Sequence, residues 1–591
     1  MKNNKILDQS IFTFFSAILI IYIFTSCNNI TNQNEPIIHV KTDSVFIYPT
    51  KNKTFNINKF TTTGKYYYLC KVWGVLNYHP LPENENIDLS NLQNLAGLDN
   101  KNFRQYLINL LKPVVVSYNA KQLLEKSADS LNNVYTLLNN NWLNDTIYLN
   151  EEITTKLKYL VLGIDGREIM PDVLNQSKEG VIQYNIPHDD FKEEFPNTNL
   201  RLLGLFHYWN LINYFYPYKN LIDKSWDEVL YFSINDFLFA KSQIDYDRAV
   251  LKLIANLNDG NSKVKETSIL TRVYGNFVPN FRMKKVGSNY FICAIRSVDL
   301  DNYGLKIGDK LLAINGIPLG DLDDAISPFV AGGNAFSKQR EINKLILVSK
   351  NEYNDLKIER NKTVFTKHVQ YYDYGILAEF GRMQEKEWEN KLSVVWYPNN
   401  VAYLNMNHLF DDNFLPNMHE VMRSSALILD LRGFHNAVVE SKMLNYIVET
   451  ENNSVSSIYP DVYNPGVLRY TKDKVHELVI DGKKYEHQII IIVDETTQGL
   501  GEYIVKTLQF NNNVKVIGST TAGTDGKVSY FVFPGNIGVE FNSTGVCYYN
   551  FEQTQRIGVK LDKLLNYQID TTGKGEDLFL KEALQMLKLK P

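Results

Sequence analysis

Four short apolar runs near the C-terminal end of the chain constrain its fold more than any other feature: VAYLNM (Val401 to Met406), ALILDLRG (Ala426 to Gly433), HQIIIIVDE (His487 to Glu495) and VKVIGSTTAG (Val514 to Gly523). Each run ends in polar residues or glycine, and helical or loop segments separate them. Strands buried on both faces read this way, so from about Asn399 onward the expectation is a mostly parallel sheet. In such a sheet the functional loops lie beyond the carboxyl ends of the strands.

The third run continues into VDETTQGLGEYIVKTLQF (Val493 to Phe510), where the pattern changes from a continuous apolar strand to an amphipathic helix. Strand, sharp turn and helix form the setting in which a hydrolytic enzyme presents a nucleophile. Here the turn carries Gly499, Leu500 and Gly501, with no serine or cysteine at its tip.

From about Val273 to Gln370 the texture is one of short β-branched and aromatic runs. NYGLKIGDKLLAINGIPL (Asn302 to Leu319) resembles the PDZ-domain segment G-L-x-x-G-D-x-I-x-x-I-[ND]-G, through Gly304-Leu305, Gly308-Asp309, Leu312, Ile314 and Asn315-Gly316. Gly308-Asp309 read as a turn, KLLAI as a buried strand and Asn315-Gly316 as a tight turn into the next strand. The resemblance implies binding of extended peptides, often C-termini, by strand addition to a sheet edge. From Thr61 to Leu257 the chain reads mostly helical and loosely repeats itself. KVWGVLNYHP (Lys71 to Pro80) matches HYWNLINYFYP (His207 to Pro217), and each is expected to open a helix whose aromatic stripe lies in the core.

Taken in order, the PDZ-like segment, YLNM, LILDLRG, IIIIVDETTQGLGEY, VIGSTTAG and TQRIGV resemble the S41 peptidases, the tail-specific and tricorn-like serine proteases, and among them Bacteroidetes-type lipoproteins. The resemblance covers nearly all of the chain beyond its leader. It implies a multidomain α+β protein: a helical N-terminal region, a PDZ-like β domain and an α/β protease core of ClpP/crotonase type. The implied segments are 1–27 signal peptide, 28–60 tether, 61–185 and 186–270 helical regions, 271–375 PDZ-like domain and 385–580 core.

The family's nucleophile turn resembles V-[ND]-E-x-T-x-S-x-x-E. Val493, Asp494, Glu495, Thr497, Gln498 and Glu502 fit, and Gly499 stands where serine is expected. The tricorn-like base is a histidine in D-x-H, and after Asp259 this chain has Asn261. The Ser-Lys branch takes its base from T-x-G-K-G, where Thr524 stands, with Lys527 displaced by three. Leu561 replaces the proline of the usual G-I-x-P-D ending. An acidic third member would lie in EQTQ, at Glu552 or Gln555. Glycine cannot attack a carbonyl, and asparagine cannot shuttle a proton near neutral pH, so both halves of acyl transfer by this route are missing. The oxyanion loop ending at Gly433 and the N–H of Leu500 remain as a pocket for a carbonyl or carboxylate. Replacement catalytic groups would be sought at Ser519, His435 and Lys527, with Thr497, Thr520 and His408 also near. A solvated loop is the plainer reading of His435.

Composition narrows the setting. With 591 residues and 44% hydrophobic content the chain suffices for three or four packed domains, and a net charge of −4 gives no reason to expect nucleic acid. MKNNK followed by IFTFFSAILIIYIF and FTSC reads as a bacterial lipoprotein signal, cleaved before a lipid-bearing Cys27, with an ordinary signal peptide or an uncleaved anchor as alternatives. Cys70, Cys293 and Cys547 are far apart and read as buried thiols. No metal or cofactor is expected. The function expected is a lipid-anchored, envelope-located, peptide-binding pseudoprotease whose partners are peptides or protein C-termini and, through its lipid, a membrane. An active serine endopeptidase with relocated residues and a non-catalytic assembly protein are the alternatives.

Overall fold

In the computed structural model of the protein, the four apolar runs lie side by side. The sheet order is Val394–Tyr397, Val401–Asn405, Ala426–Asp430, Gln488–Val493, Val514–Gly518 and Lys563–Leu564. The first pair is antiparallel and every later pair parallel. Alternation then buries both faces. Leu427, Leu429, Ile489, Ile491 and Val516 pack toward helices Phe414–Val421, Ala437–Ile447 and Leu500–Leu508. Ile428, Ile490, Ile492 and Ile517 pack toward Leu578–Met586. The register pairs Asn405 with Asp430, Asp430 with Ile492, and Val493 with Gly518, so the segments following these strands emerge at one edge.

The structure describes residues 55–79, 92–116, 138–161, 174–177, 181–184, 193–265, 267–295, 303–375, 393–433, 436–447, 455–473, 484–566 and 577–588. Cys27 and His435 lie outside them. All the described residues fall within one unit, Ile47–Pro591. No helix among them is long and apolar enough to cross a membrane.

A second sheet runs Thr363–Gln370, Tyr353–Arg360, Lys310–Ile314, Asn289–Ile295, Phe281–Val286, antiparallel throughout, with helix Ala335–Ile346 against its last strand. Asn315 and Gly316, at φ 50° and 79°, make the tight turn that pairs Lys310–Ile314 with Ile317–Pro318. Asp309 is buried and gripped by Arg360, Nε to Oδ1 and Nη2 to Oδ2 each at 2.6 Å, which fixes the turn at Gly308. Gly304 has φ 71°, and Leu305 enters the core of this sheet.

The helices Thr62–Tyr78, Thr198–Phe215, Trp226–Leu238 and Gln243–Ala255 share one aromatic core with Phe531, Phe533 and Phe541. The two repeats close helices rather than open them: Lys71–Pro80 and His207–Pro217 end Thr62–Tyr78 and Thr198–Phe215. The prolines explain this, because the residue before a proline is pushed out of the helical region. Matching positions of the two repeats meet. Tyr78 and Tyr214 have ring centroids 5.0 Å apart, and a Cβ on Gly74 would lie 1.9 Å from Asn210 Oδ1. Cys70 and Cys547 are buried as expected, while Cys293 is half-buried.

Candidate active site

Strand Gln488–Val493 delivers the chain into the turn, and helix Leu500–Leu508 starts directly after it. Gly499 caps that helix at φ +55°, ψ −107°, a backbone that residues with a side chain adopt only under strain. A Cβ placed there would meet nothing within 4 Å. The turn is thus sharp and open, with no side chain at its tip.

Neighbouring loops hold the turn in place. The buried Thr497 hydroxyl donates to Leu431 O at 3.2 Å and accepts from Asp494 N, which ties it to the 430–433 loop as a structural group. Gly499 N donates to Thr524 O, and Ala522 N to Thr497 O. Glu502, in the first helical turn, accepts from Thr521 Oγ1 at 2.6 Å and from the N–H groups of Gly523 and Thr524 at 2.9 Å each. Burial pushes its carboxyl up to about 7. The N–H groups of Leu500 and Gly433 have no acceptor among the described residues.

The loop that carries Asn261 and the turn that carries Gly499 meet across the fold. Strand Lys263–Val264 pairs with Ile537–Asn542, which sets the loop Asp259–Ser262 against the turn. Gly260 N donates to Thr524 Oγ1 at 2.9 Å. Asn261 Oδ1 accepts from Gln498 Nε2 at 2.9 Å, and Asn261 Nδ2 donates to Asn542 Oδ1 at 2.9 Å. Asn542 Nδ2 in turn donates to Asp259 Oδ2 at 2.8 Å. At the other end Arg340 Nη2, from helix Ala335–Ile346, donates to Gln498 Oε1 at 2.7 Å. A guanidinium is therefore linked to a buried carboxyl through three side-chain amides, each accepting from one neighbour and donating to the next. Burial pushes Asp259 above the usual carboxylate range, against the hydrogen bonds from Asn261 N and Tyr216 Oη that hold it down. No member of the chain of amides is a base at neutral pH.

Of the two residues sought for a third position, Gln555 is the buried one. It is 1% exposed, lies beside Asp259 and accepts from Asp525 N, whereas Glu552 is exposed and paired with Lys560 at 2.5 Å. Lys527 is exposed, so the cation buried beneath the turn is Lys506 in its place, in contact with Asp525. A charged residue four positions after Glu502, on the buried face of an amphipathic helix, was the signal for it. Nothing in the sequence pointed to Arg340 or Asn542. Ser519 is almost buried, with Oγ 3.5 Å from Glu495 Oε2, while Glu495 Oε1 is held by Lys284 at 2.6 Å. Thr520 and His408 are half-buried. No cluster of metal-ligating side chains occurs among the described residues.

No family model matches the sequence, and no curated protein matches it. Solved structures do. Mature CPAF complexed with lactacystin superposes with TM-score 0.51 over 66% of this chain and 98% of that chain, at 13% identity. Mature CPAF alone gives 0.50 over 66% and 96%, also at 13% identity. The photosystem II D1 C-terminal processing protease matches more loosely, with TM-score 0.36 over 62% and 93% at 11% identity. The fold is that of the S41 peptidases, a multidomain α+β architecture, and at these identities the likeness is one of fold.

Proposed function

We propose that this protein is a peptide-binding pseudoprotease of the bacterial cell envelope, tethered through a lipid on Cys27. One observation carries the reading: the turn between strand and helix has a strained, side-chain-free tip at Gly499, and the residues beside it and beside Asp259, namely Asn261 and Gln555, are amides that can serve neither as base nor as acid. Acyl transfer needs a nucleophile and a group that takes its proton. What remains is recognition. The N–H groups of Leu500 and Gly433 suit the carbonyl or terminal carboxylate of a bound chain. The outer edge of strand Phe281–Val286, beside helix Ala335–Ile346, suits an added peptide strand.

The test compares casein and peptide-library cleavage by the chain from Cys27 onward with that of Gly499→Ser/Asn261→His and of the same variant carrying Gln555→Glu. Cleavage by a restored variant alone supports a relic cleft that now binds. Cleavage by the natural chain defeats the reading. A second reading, an endopeptidase using Ser519, draws on the contact between Ser519 Oγ and Glu495. It requires labelling by a serine-reactive probe that Ser519→Ala removes.

A further inference from the structure

Beneath the turn, Lys506 and Asp525 are in direct contact inside the protein. The Lys506 side chain is 0% exposed and that of Asp525 9%. Lys506 lies on helix Leu500–Leu508, and Asp525 follows the TTAG loop, so the pair joins the two elements that frame the turn. Their surroundings are also buried: Glu502, Thr554, Gln555 and Tyr218, whose hydroxyl donates to Asp525 O at 3.0 Å. Neither group takes part in the proposed binding.

We propose that Lys506 Nζ and Asp525 Cγ condense into an intramolecular isopeptide bond. Two ions taken out of water carry a desolvation cost that their attraction only partly offsets. Condensation removes both charges. Lys506 Nζ bonds to Asp525 Cγ, the Cγ–Oδ2 bond breaks, and Oδ2 leaves as water with two protons from the ammonium. No oxidant or other reactant is needed, and the products are a neutral amide and a water. The oxygens are already differentiated for this outcome. Oδ2 faces Lys506, whereas Oδ1 accepts from Gly526 N at 2.8 Å and so stays polarised as the carbonyl.

Proton transfer has a carrier. Glu502 sits one helical turn before Lys506 on the same buried face, and its Oε2 accepts from the N–H of Thr524, next to Asp525. Burial brings its carboxyl to about 7, a value suited to taking a proton from the ammonium and passing it to the leaving oxygen. Holding amine and carboxyl together supplies the concentration term, since well-oriented intramolecular reactions reach effective molarities of roughly 10⁵–10⁸ M. The resulting staple would lock the TTAG loop to the helix and keep the cleft rigid.

Trypsin decides the matter on the full chain, digested in denaturant and read by mass spectrometry. An isopeptide-linked Lys506 is not cleaved. The expected product is then Tyr485–Lys515 joined to Val516–Lys527, lighter by one water than the two peptides together. Recovery of Tyr485–Lys506 and Val516–Lys527 as separate linear peptides, without the joined species, overturns the proposal and leaves an ordinary buried ion pair.

Discussion

Gln498 Nε2 donates to Asn261 Oδ1 at 2.9 Å, joining the residue before the helix cap to a loop 237 positions earlier in the chain. The bond ties the turn to the Asp259–Ser262 loop, and it is one link in the chain of amides from Arg340 to Asp259. Cutting it strands partners on both sides. Gln498→Leu is expected to cost about 1–3 kcal/mol, the penalty for leaving polar groups unsatisfied away from water. A double-mutant cycle with Asn261→Ala, measured by urea unfolding, should show a coupling of at least about 0.5 kcal/mol. Additive effects would mean that the chain of amides acts as independent bonds.

Gly499 is held at φ +55° with open space beyond it. Gly499→Ala should therefore lower stability through backbone strain alone, by roughly 1–3 kcal/mol. Thermal unfolding would register this as a lower midpoint with unchanged far-ultraviolet circular dichroism. An alanine variant as stable as the natural chain would contradict the strained geometry.

The Glu502 carboxyl is raised to about 7 in the folded chain from an ordinary value of 4.5, with burial as the main cause. The folded state holds the proton more tightly, so this residue's contribution to stability is full below the unfolded value and is lost as pH rises through about 7. The stability difference between the natural chain and Glu502→Gln should be larger at pH 5 than at pH 8, by as much as ~3 kcal/mol. Urea titrations at the two pH values measure it. A difference that grows with pH would reverse the sign and disprove the assignment.

Gly74 and Asn210, equivalent residues of the two repeats, touch where their helices cross. A methyl at position 74 would collide with Asn210 Oδ1, while Asn210 Nδ2 is committed to Cys70 O and Phe206 O. Gly74→Ala should destabilise by about 1–3 kcal/mol, the usual cost of overpacking. Adding Asn210→Ala should cost less than the sum of the single changes, as read from denaturant midpoints.

The sheet was legible because four continuous apolar runs bounded by polar loops have few other solutions, and the strand–turn–helix around Gly499 was legible because its change of pattern is local. The repeat showed two related helices but placed them on the wrong side of the motif, although Pro80 and Pro217 marked the ends. Gln555 was not separable from Glu552, since the segment makes a single bridge, Cys547 to Gln553, and then turns, giving no strand period to say which side chain points inward. Lys527 lies near the loop in sequence, yet tertiary packing exposes it and buries Lys506 beneath the turn, which spacing along the chain does not reveal.

By itself, then, the sequence determined the parallel sheet, the strand–turn–helix and the absence of serine or cysteine from the tip of that turn, because these depend on apolar runs and on residue types within short local segments. Only the tertiary structure decided what surrounds the turn. Arg340, Gln498, Asn261 and Asn542 come from four separate segments, and their hydrogen bonds exist only once three sheets have fixed those segments to within about 3 Å. Hydrogen bonding acts over that distance alone, so no pattern of neighbours along the chain encodes it.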